Sequence, residues 1–306
     1  MKSIGIAVFT LNGKDCLERC LKPFIQSILK PKILVIDSSS TDGTQEEAKR
    51  LNVNLHVIPG KEFNHGLTRE KARKLLNTDI VVMLTQDAYS EDPLILEKLV
   101  KPLIDDQANI AYARQLPHKG AGFFESFPRQ FNYPPTSHIR SLKDLDLWGT
   151  YTYFCSDSCA AYLNKTLDSI GGFKNVLLGE DTFATAEILH KGGKIAYVAE
   201  AEVRHSHHYS LSQEFKRYFD TGLVRKQYKH LLKSPSSDQK RGNQFVKEMF
   251  KQLLKQNPRL IPYAILNTTA KFLGYKIGYL SFKAPVWWKK ALSSQRFYWD
   301  SIYFRS

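Results

Sequence analysis

Short apolar, β-branched runs alternate with amphipathic stretches through the first 115 residues. Strands are expected at 4–9, 32–36, 55–58 and 80–84, and helices at 15–29, 41–51 and 67–76. Parallel strands cannot be joined by tight turns and need long crossovers, so this order predicts a parallel sheet with helices on both faces. Doubly wound sheets of this kind bind ligands beyond the carboxyl ends of their strands. Chemistry is therefore sought at Thr10 and Asn12 after the first strand, at 37–42 after the second, and at Gln86 and Asp87 after the fourth. The first strand runs into Phe-Thr-Leu-Asn-Gly-Lys rather than G-x-G-x-x-G, and no G-x-x-x-x-G-K-[ST] occurs anywhere, which argues against the usual dinucleotide and P-loop sites.

Residues 116–160 are irregular and rich in proline and aromatics, with a strand or two expected around 151–163. Such a segment inside a compact domain usually forms a binding surface. A helix at 181–190 and a strand at 194–198 resume regular structure, and beyond Tyr209 basic, aromatic-rich helices follow, broken near 234–242 and at Pro258, Pro262 and Pro285. Charge marks the same boundary. Residues 1–209 hold 25 basic and 25 acidic side chains, whereas 210–306 hold 19 basic against 5 acidic, the whole net charge of +14. With 24% charged and 42% hydrophobic residues, neither half reads as disordered. The expected organisation is a domain at 1–209, divided near 115, followed by a basic helical extension at 210–306.

The four cysteines, Cys16, Cys20, Cys155 and Cys159, fall in pairs whose spacing matches neither a zinc nor a redox motif, so buried thiols in a reducing compartment are expected. The N-terminus shows no apolar stretch with a cleavage site. A cytoplasmic catalytic domain is the reading that results.

Four clusters carry candidate chemistry. Asp37-Ser-Ser-Ser-Thr-Asp42-Gly-Thr44 closes the second strand; helix capping explains Asp42 but leaves Asp37 free to accept from a pyrimidine imide or ribose hydroxyls. Thr85-Gln86-Asp87 offers an acid for a divalent cation, and Arg204-His205-Ser-His207-His208 adds imidazoles, though a polar loop with incidental histidines fits the same spacing. Gly179-Glu180-Asp181 opens a helix, where acids either compensate the helix dipole or supply one general base.

Taken in order, Thr10-Leu-Asn12, Val35-Ile-Asp37-Ser-Ser-Ser-Thr-Asp42-Gly-Thr44, Thr85-Gln86-Asp87-Ala88 and Gly171-Gly172-Phe173 followed by Glu180-Asp181 resemble the inverting family 2 glycosyltransferases of the GT-A fold, over about residues 3–220. Within that family, Glu62-Phe-Asn-His-Gly-Leu-Thr-Arg69, Ala113-Arg-Gln-Leu-Pro117 and Val203-Arg-His-Ser-His-His-Tyr209 look like the bacterial rhamnosyltransferase branch, which builds polysaccharide from dTDP-L-rhamnose. The resemblance implies a Rossmann-like nucleotide-sugar-binding half at 1–115 and an acceptor-binding half at 116–209. It also implies a nucleotide-diphosphate sugar as donor, dTDP-rhamnose or a UDP-sugar, a saccharide or lipid-linked acceptor, and Mg²⁺ or Mn²⁺. Position by position it implies that Thr10, Asn12, Asp37 and Ser39 line the nucleoside pocket, with Arg69 near the base or diphosphate and Gln86 beside the donor. Asp87 is then the surviving acid of the DxD metal motif, His205 a further ligand, and Asp181 the base with Glu180 as neighbour. The first DxD acid is Thr85 here, a departure that weakens the expected hold on metal.

The extension carries 18 of the 37 aromatic residues, among them Trp287, Trp288 and Trp299, interleaved with lysine and arginine. Nucleic acid is one possible partner for such a tail on a non-catalytic module. Mixed tryptophan, tyrosine and cation fits a membrane interface better, so peripheral attachment to the cytoplasmic leaflet and no nucleic acid are expected. Trp148, Tyr151 and Tyr153 are the expected sugar-stacking wall for the acceptor.

Overall fold

The computed structural model describes residues 2–233 and 238–304. Its first half runs β1 (Ile4–Thr10), α1 (Lys14–Ile25), β2 (Lys32–Asp37), α2 (Thr44–Arg50), β3 (Asn54–Val57), α3 (His65–Leu76), β4 (Ile80–Thr85), α4 (Ile95–Ile104) and β5 (Ile110–Leu116). It continues through α5 (Phe123–Asn132), β6 (His138–Arg140), α6 (Leu145–Trp148), β7 (Cys159–Leu163), α7 (Asn164–Ser169), α8 (Glu180–His190) and β8 (Ile195–Arg204). Five helices close the chain: α9 (Leu211–Gln227), α10 (Asp238–Gln256), α11 (Ile261–Leu280), α12 (Val286–Leu292) and α13 (Arg296–Asp300). The expected helix break near 234–242 falls partly on residues 234–237, outside the described residues.

Eight strands form one sheet in the order β3-β2-β1-β4-β7-β5-β8-β6. The expected α/β class holds, with β1 parallel to β2 and β4 and every residue of β1 buried. Amphipathic spacing covers the sheet as anticipated: α1 buries Leu17, Cys20, Leu21 and Phe24, one stripe at i, i+3, i+4 and i+7. The central strand β7 runs antiparallel between β4 and β5, with Leu84 opposite Cys159 and Tyr112 opposite Ala160. Antiparallel entry has a direct consequence. The residues that precede β7, 155–158, lie at the carboxyl edge of its parallel neighbours, where the site is built.

Three local expectations change. Residues 151–153, the start of the stretch read as strand, belong to a 3-10 turn at Gly149–Tyr153, and the strand begins only at Cys159. The proline-rich stretch contains a true helix, α5, in which Phe123, Phe124, Phe127 and Phe131 make a ring stripe against Phe245 of α10 and Tyr263 of α11. Pro128 interrupts only one turn of that helix, whose aromatic packing outweighs the lost bond. β8 extends to Arg204, well past 198.

The charge boundary at 209 is not a boundary in packing. Phe219, Leu223 and Val224 of α9 belong to the same buried cluster as Ala7, Met83 and Tyr162, with Ile277, Leu292, Tyr298 and Trp299 packed against it. Helices α9 and α11 approach closely because small residues face across them: a Cβ on Gly222, Gly274 or Gly278 would collide with the backbone carbonyl of Tyr275, Phe215 or Phe219 respectively. Gly278→Ala is expected to destabilise the protein by about 1–3 kcal/mol through overpacking, even though alanine is the better helix former. A chemical-denaturation midpoint equal to wild type would show that the two helices are not locked together.

Candidate active site

A cleft of about 2240 Å³ opens at the carboxyl edge of the sheet. Its floor is the strand ends, with Thr10 after β1, Thr85, Gln86 and Asp87 after β4, and Gln115 in β5. One side is the start of α8 with the loop before β7; α5 and the C-terminal helices form the other.

Asp181 stands at the first turn of α8, half-buried, and lines the cleft. Its carboxylate accepts from the backbone N–H of Thr182 at 2.6 Å and weakly from that of Asp157 at 3.3 Å. Burial first, then the charges of Glu180 and Asp157, pushes its carboxyl up to about 8. Glu180 behaves oppositely. The Arg69 guanidinium lies 3.0 Å from its Oε1 and, with His65, outweighs burial to hold it below the usual carboxylate range. The same Arg69 reaches Asp157 at 2.7 Å, both side chains buried, and the Tyr162 hydroxyl donates to Asp157 at 2.6 Å. Two adjacent acids are thus split in role: Glu180 is fixed in an ion pair, and Asp181 is left as the group able to take a proton at neutral pH.

Across the cleft, Asp87, His205 and His207 place ligand atoms within 4.8 Å of one another. His205 Nε2 lies 3.5 Å and His207 Nε2 3.6 Å from Asp87 Oδ2. On its other nitrogen, His205 meets Ser158 Oγ at 3.1 Å and Gln115 Oε1 at 3.3 Å, contacts that aim Nε2 at the carboxylate. Burial pushes His205 down to about 3, so the ring is neutral and its lone pair is available. One carboxylate and two imidazoles suit a divalent transition ion. The set fits a metal even though Thr85 replaces the other acid, because His207 supplies the third ligand. Thr85 Oγ1, at the position of the replaced acid, is buried with no hydrogen-bond partner among the described residues.

The remaining expected residues divide. Thr10 lines the cleft and donates to Asp37 at 2.9 Å. Asp37 is fully buried behind it, its two oxygens taking Thr10, Ser40 and Gln45 as donors. Asn12 and Ser39 sit at positive φ (51° and 62°) and brace loops: Asn12 Oδ1 accepts from Thr41 N–H, and Ser39 Oγ donates to Ile58 O. Gln86 clamps Leu11 through both its amide atoms. Arg69 lines the cleft, facing the acids described above and lying over the Phe9 ring at the end of β1. Among the acceptor aromatics only Tyr151 lines the cleft. Tyr153 is fully buried, its hydroxyl donating to Lys233 O, and Trp148 is spent stacking on His138, so neither presents a face to the cleft. Two residues of the site were not selected from the sequence: Asp157, whose place depends on the antiparallel strand that follows it, and His207, passed over in favour of His205 although its two-residue spacing from it was visible.

Fold and site together define a GT-A enzyme of group transfer. The profile described as Glycosyl transferase family 2 matches residues 5–171. The chain is 40% identical over 277 residues to the O-antigen chain rhamnosyltransferase WbaN of Salmonella anatum, covering 90% of this chain and 88% of that one. It is 39% identical over 307 residues to the O-antigen chain rhamnosyltransferase RfbN of Salmonella typhimurium, covering 99% and 98%. Among solved structures, the fold resembles the mannosyltransferase PcManGT of Pyrobaculum calidifontis, in complex with GDP-Man and Mn²⁺, with TM-score 0.57 at 16% identity over 93% of this chain and 76% of that one. It also resembles Staphylococcus aureus TarS, with TM-score 0.55 at 14% identity over 92% and 91%. The protein belongs to glycosyltransferase family 2 and is a glycosyltransferase.

His205→Ala is expected to weaken Mn²⁺ binding at least about tenfold, measured by titration calorimetry with the metal and dTDP. Unchanged affinity would remove the histidine from the metal site.

Proposed function

We propose that the protein transfers L-rhamnose from dTDP-rhamnose to a saccharide hydroxyl of a growing O-antigen chain, with inversion at the anomeric carbon. The donor and acceptor classes follow from likeness to two full-length relatives named O-antigen chain rhamnosyltransferases. The observation that carries the mechanism is the divided acid pair, with Asp181 raised and lining the cleft while Glu180 is neutralised by Arg69.

In this reading the Asp181 carboxylate takes the proton from the acceptor hydroxyl as its oxygen bonds to the anomeric carbon. The bond from that carbon to the diphosphate oxygen breaks on the opposite face, and dTDP leaves with the electron pair. Asp87, His205 and His207 would hold Mn²⁺ or Mg²⁺, which would supply positive charge for the diphosphate. Thr10 and the loop braced by Asp37 support the nucleoside. Asp181→Asn is expected to lower transfer by at least about 10³-fold while dTDP binding stays within about twofold of wild type. Near-normal turnover would overturn the base assignment, and lost dTDP binding would give Asp181 a donor-side role.

The same reading places the enzyme at the cytoplasmic face of the membrane, beside a lipid-linked acceptor, with the extension at 210–306 as its contact. Among the described residues no helix is long and apolar enough to cross a bilayer. Leu266, Leu273 and Leu280 recur every seven residues along the exposed side of α11, and Trp287 follows at 68% exposure. With 19 basic side chains in the segment, this stripe suits insertion at an anionic headgroup layer. Sedimentation with phosphatidylglycerol vesicles is expected to carry down the full chain, and Leu273→Glu with Leu280→Glu to reduce this at least about fivefold. Equal sedimentation of both proteins would exclude the stripe.

A further inference from the structure

A second cavity, of about 700 Å³, lies apart from the cleft and shares no lining residue with it. Its size falls within the roughly 300–1,000 Å³ usual for a small-molecule site. Leu177 and Leu223, both buried members of the main core, stand in its wall, and Phe282, Val286 and Trp299 of the C-terminal segment add to an apolar lining. The transfer reaction described above uses none of these side chains.

One charged residue lines this cavity, Lys289 of α12. Its ammonium meets only the backbone oxygen of Phe282, at 3.4 Å, and the Trp299 ring, at 5.4 Å from the ring centre. The adjacent Lys290 is paired with Asp300 at 2.5 Å, whereas no described carboxylate lies within 4.0 Å of Lys289. A half-buried cation without a counter-charge favours an anion beside it, and burial already pushes its ammonium below the usual range. An apolar cavity with a single cation is the pairing that recognises an amphiphile: the chain fills the cavity and the anionic head meets the ammonium. The surroundings point to the source. Phe282 and Ile302 of the lining are themselves exposed, and the exposed Leu280 and Trp287 adjoin Phe282 and Val286 in the chain, so the cavity continues into the apolar stripe of α11. Because cavity and cleft are separate, its occupant is a lipid that the reaction does not consume.

We infer that this cavity holds one acyl chain of an anionic membrane phospholipid, with the lipid phosphate paired to Lys289. The site adds a specific bound lipid to the membrane contact proposed above, and rests on that reading for the source of the lipid.

The full chain is titrated by calorimetry with dioctanoyl-phosphatidylglycerol below its micelle concentration, a monomeric probe whose binding needs no bilayer. Saturable binding of one lipid per chain is expected. Lys289→Gln, which removes the charge, is expected to weaken it at least about fivefold. Val286→Trp, which fills the cavity, is expected to weaken it at least about tenfold. Affinity for dTDP within about twofold of wild type in both variants shows that each still folds, since the cleft shares no residue with the cavity. No saturable binding by the wild type, or lipid affinities within about twofold of it in both variants, would overturn the site. A polyprenyl phosphate that displaces the probe at roughly a tenth of the concentration phosphatidylglycerol needs would also overturn it, by giving the cavity to a different lipid. Sedimentation with phosphatidylglycerol vesicles separates the two readings: sedimentation without monomer binding overturns the site alone, and monomer binding without sedimentation overturns the membrane as the source of the lipid.

Discussion

The site depends on one buried cation. Arg69 projects from α3 between Asp157 and Glu180, at 2.7 and 3.0 Å, donates to the backbone oxygen of His65, and lies over the Phe9 ring at 4.8 Å. It joins four elements of different sequence origin: β1, α3, the loop before β7 and the start of α8. Taking an ion out of water is costly, and such a pair persists only when each partner has its counter-charge. Here three acids, Asp157, Glu180 and Asp181, crowd around one guanidinium. Asp157 and Glu180 take up the guanidinium, and burial together with the charges of Glu180 and Asp157 raises the proton affinity of Asp181. The pairing that holds the elements together also prepares the base.

The C-terminal segment follows a different constraint. Its excess charge suggests an appendage, yet its apolar face is continuous with the main core and its glycines bring α9 and α11 into backbone contact. The two observations are compatible because they occupy different sides of the same helices. Ala264, Asn267, Gly274 and Gly278 face inward; Leu266, Leu273, Leu280 and Trp287 face outward. One segment thereby closes the cleft and presents a cationic, apolar exterior.

The parallel half of the fold was legible because hydrophobic period changes cleanly from strand to helix through residues 4–84, and the carboxyl-edge rule then led to Thr10, Asp37 and Asp87. Asp157 was hidden for a topological reason. Only after β7 is known to run antiparallel, with Cys159 opposite Leu84, does the preceding loop fall at the site. Helix α5 escaped because its proline suggested irregularity, although Phe123, Phe127 and Phe131 repeat every four residues. Tyr153 was misplaced because aromatic character says nothing about which side of a short turn faces solvent; here the ring turns inward and stacks on His190.

The pH dependence of kcat/KM for transfer, taken with saturating metal between pH 5 and 10, tests the central claim most directly, since it reports the ionisation of the free enzyme's base. A base that must be deprotonated gives a rate that rises with pH through its own titration. With Asp181 pushed up to about 8 by burial, Glu180 and Asp157, activity is predicted to climb tenfold per unit below that pH and to level off above it. A profile that is flat down to pH 5, as a base in the ordinary carboxylate range gives, would contradict the account, because it would mean that the buried acids around Arg69 do not set the proton affinity of Asp181.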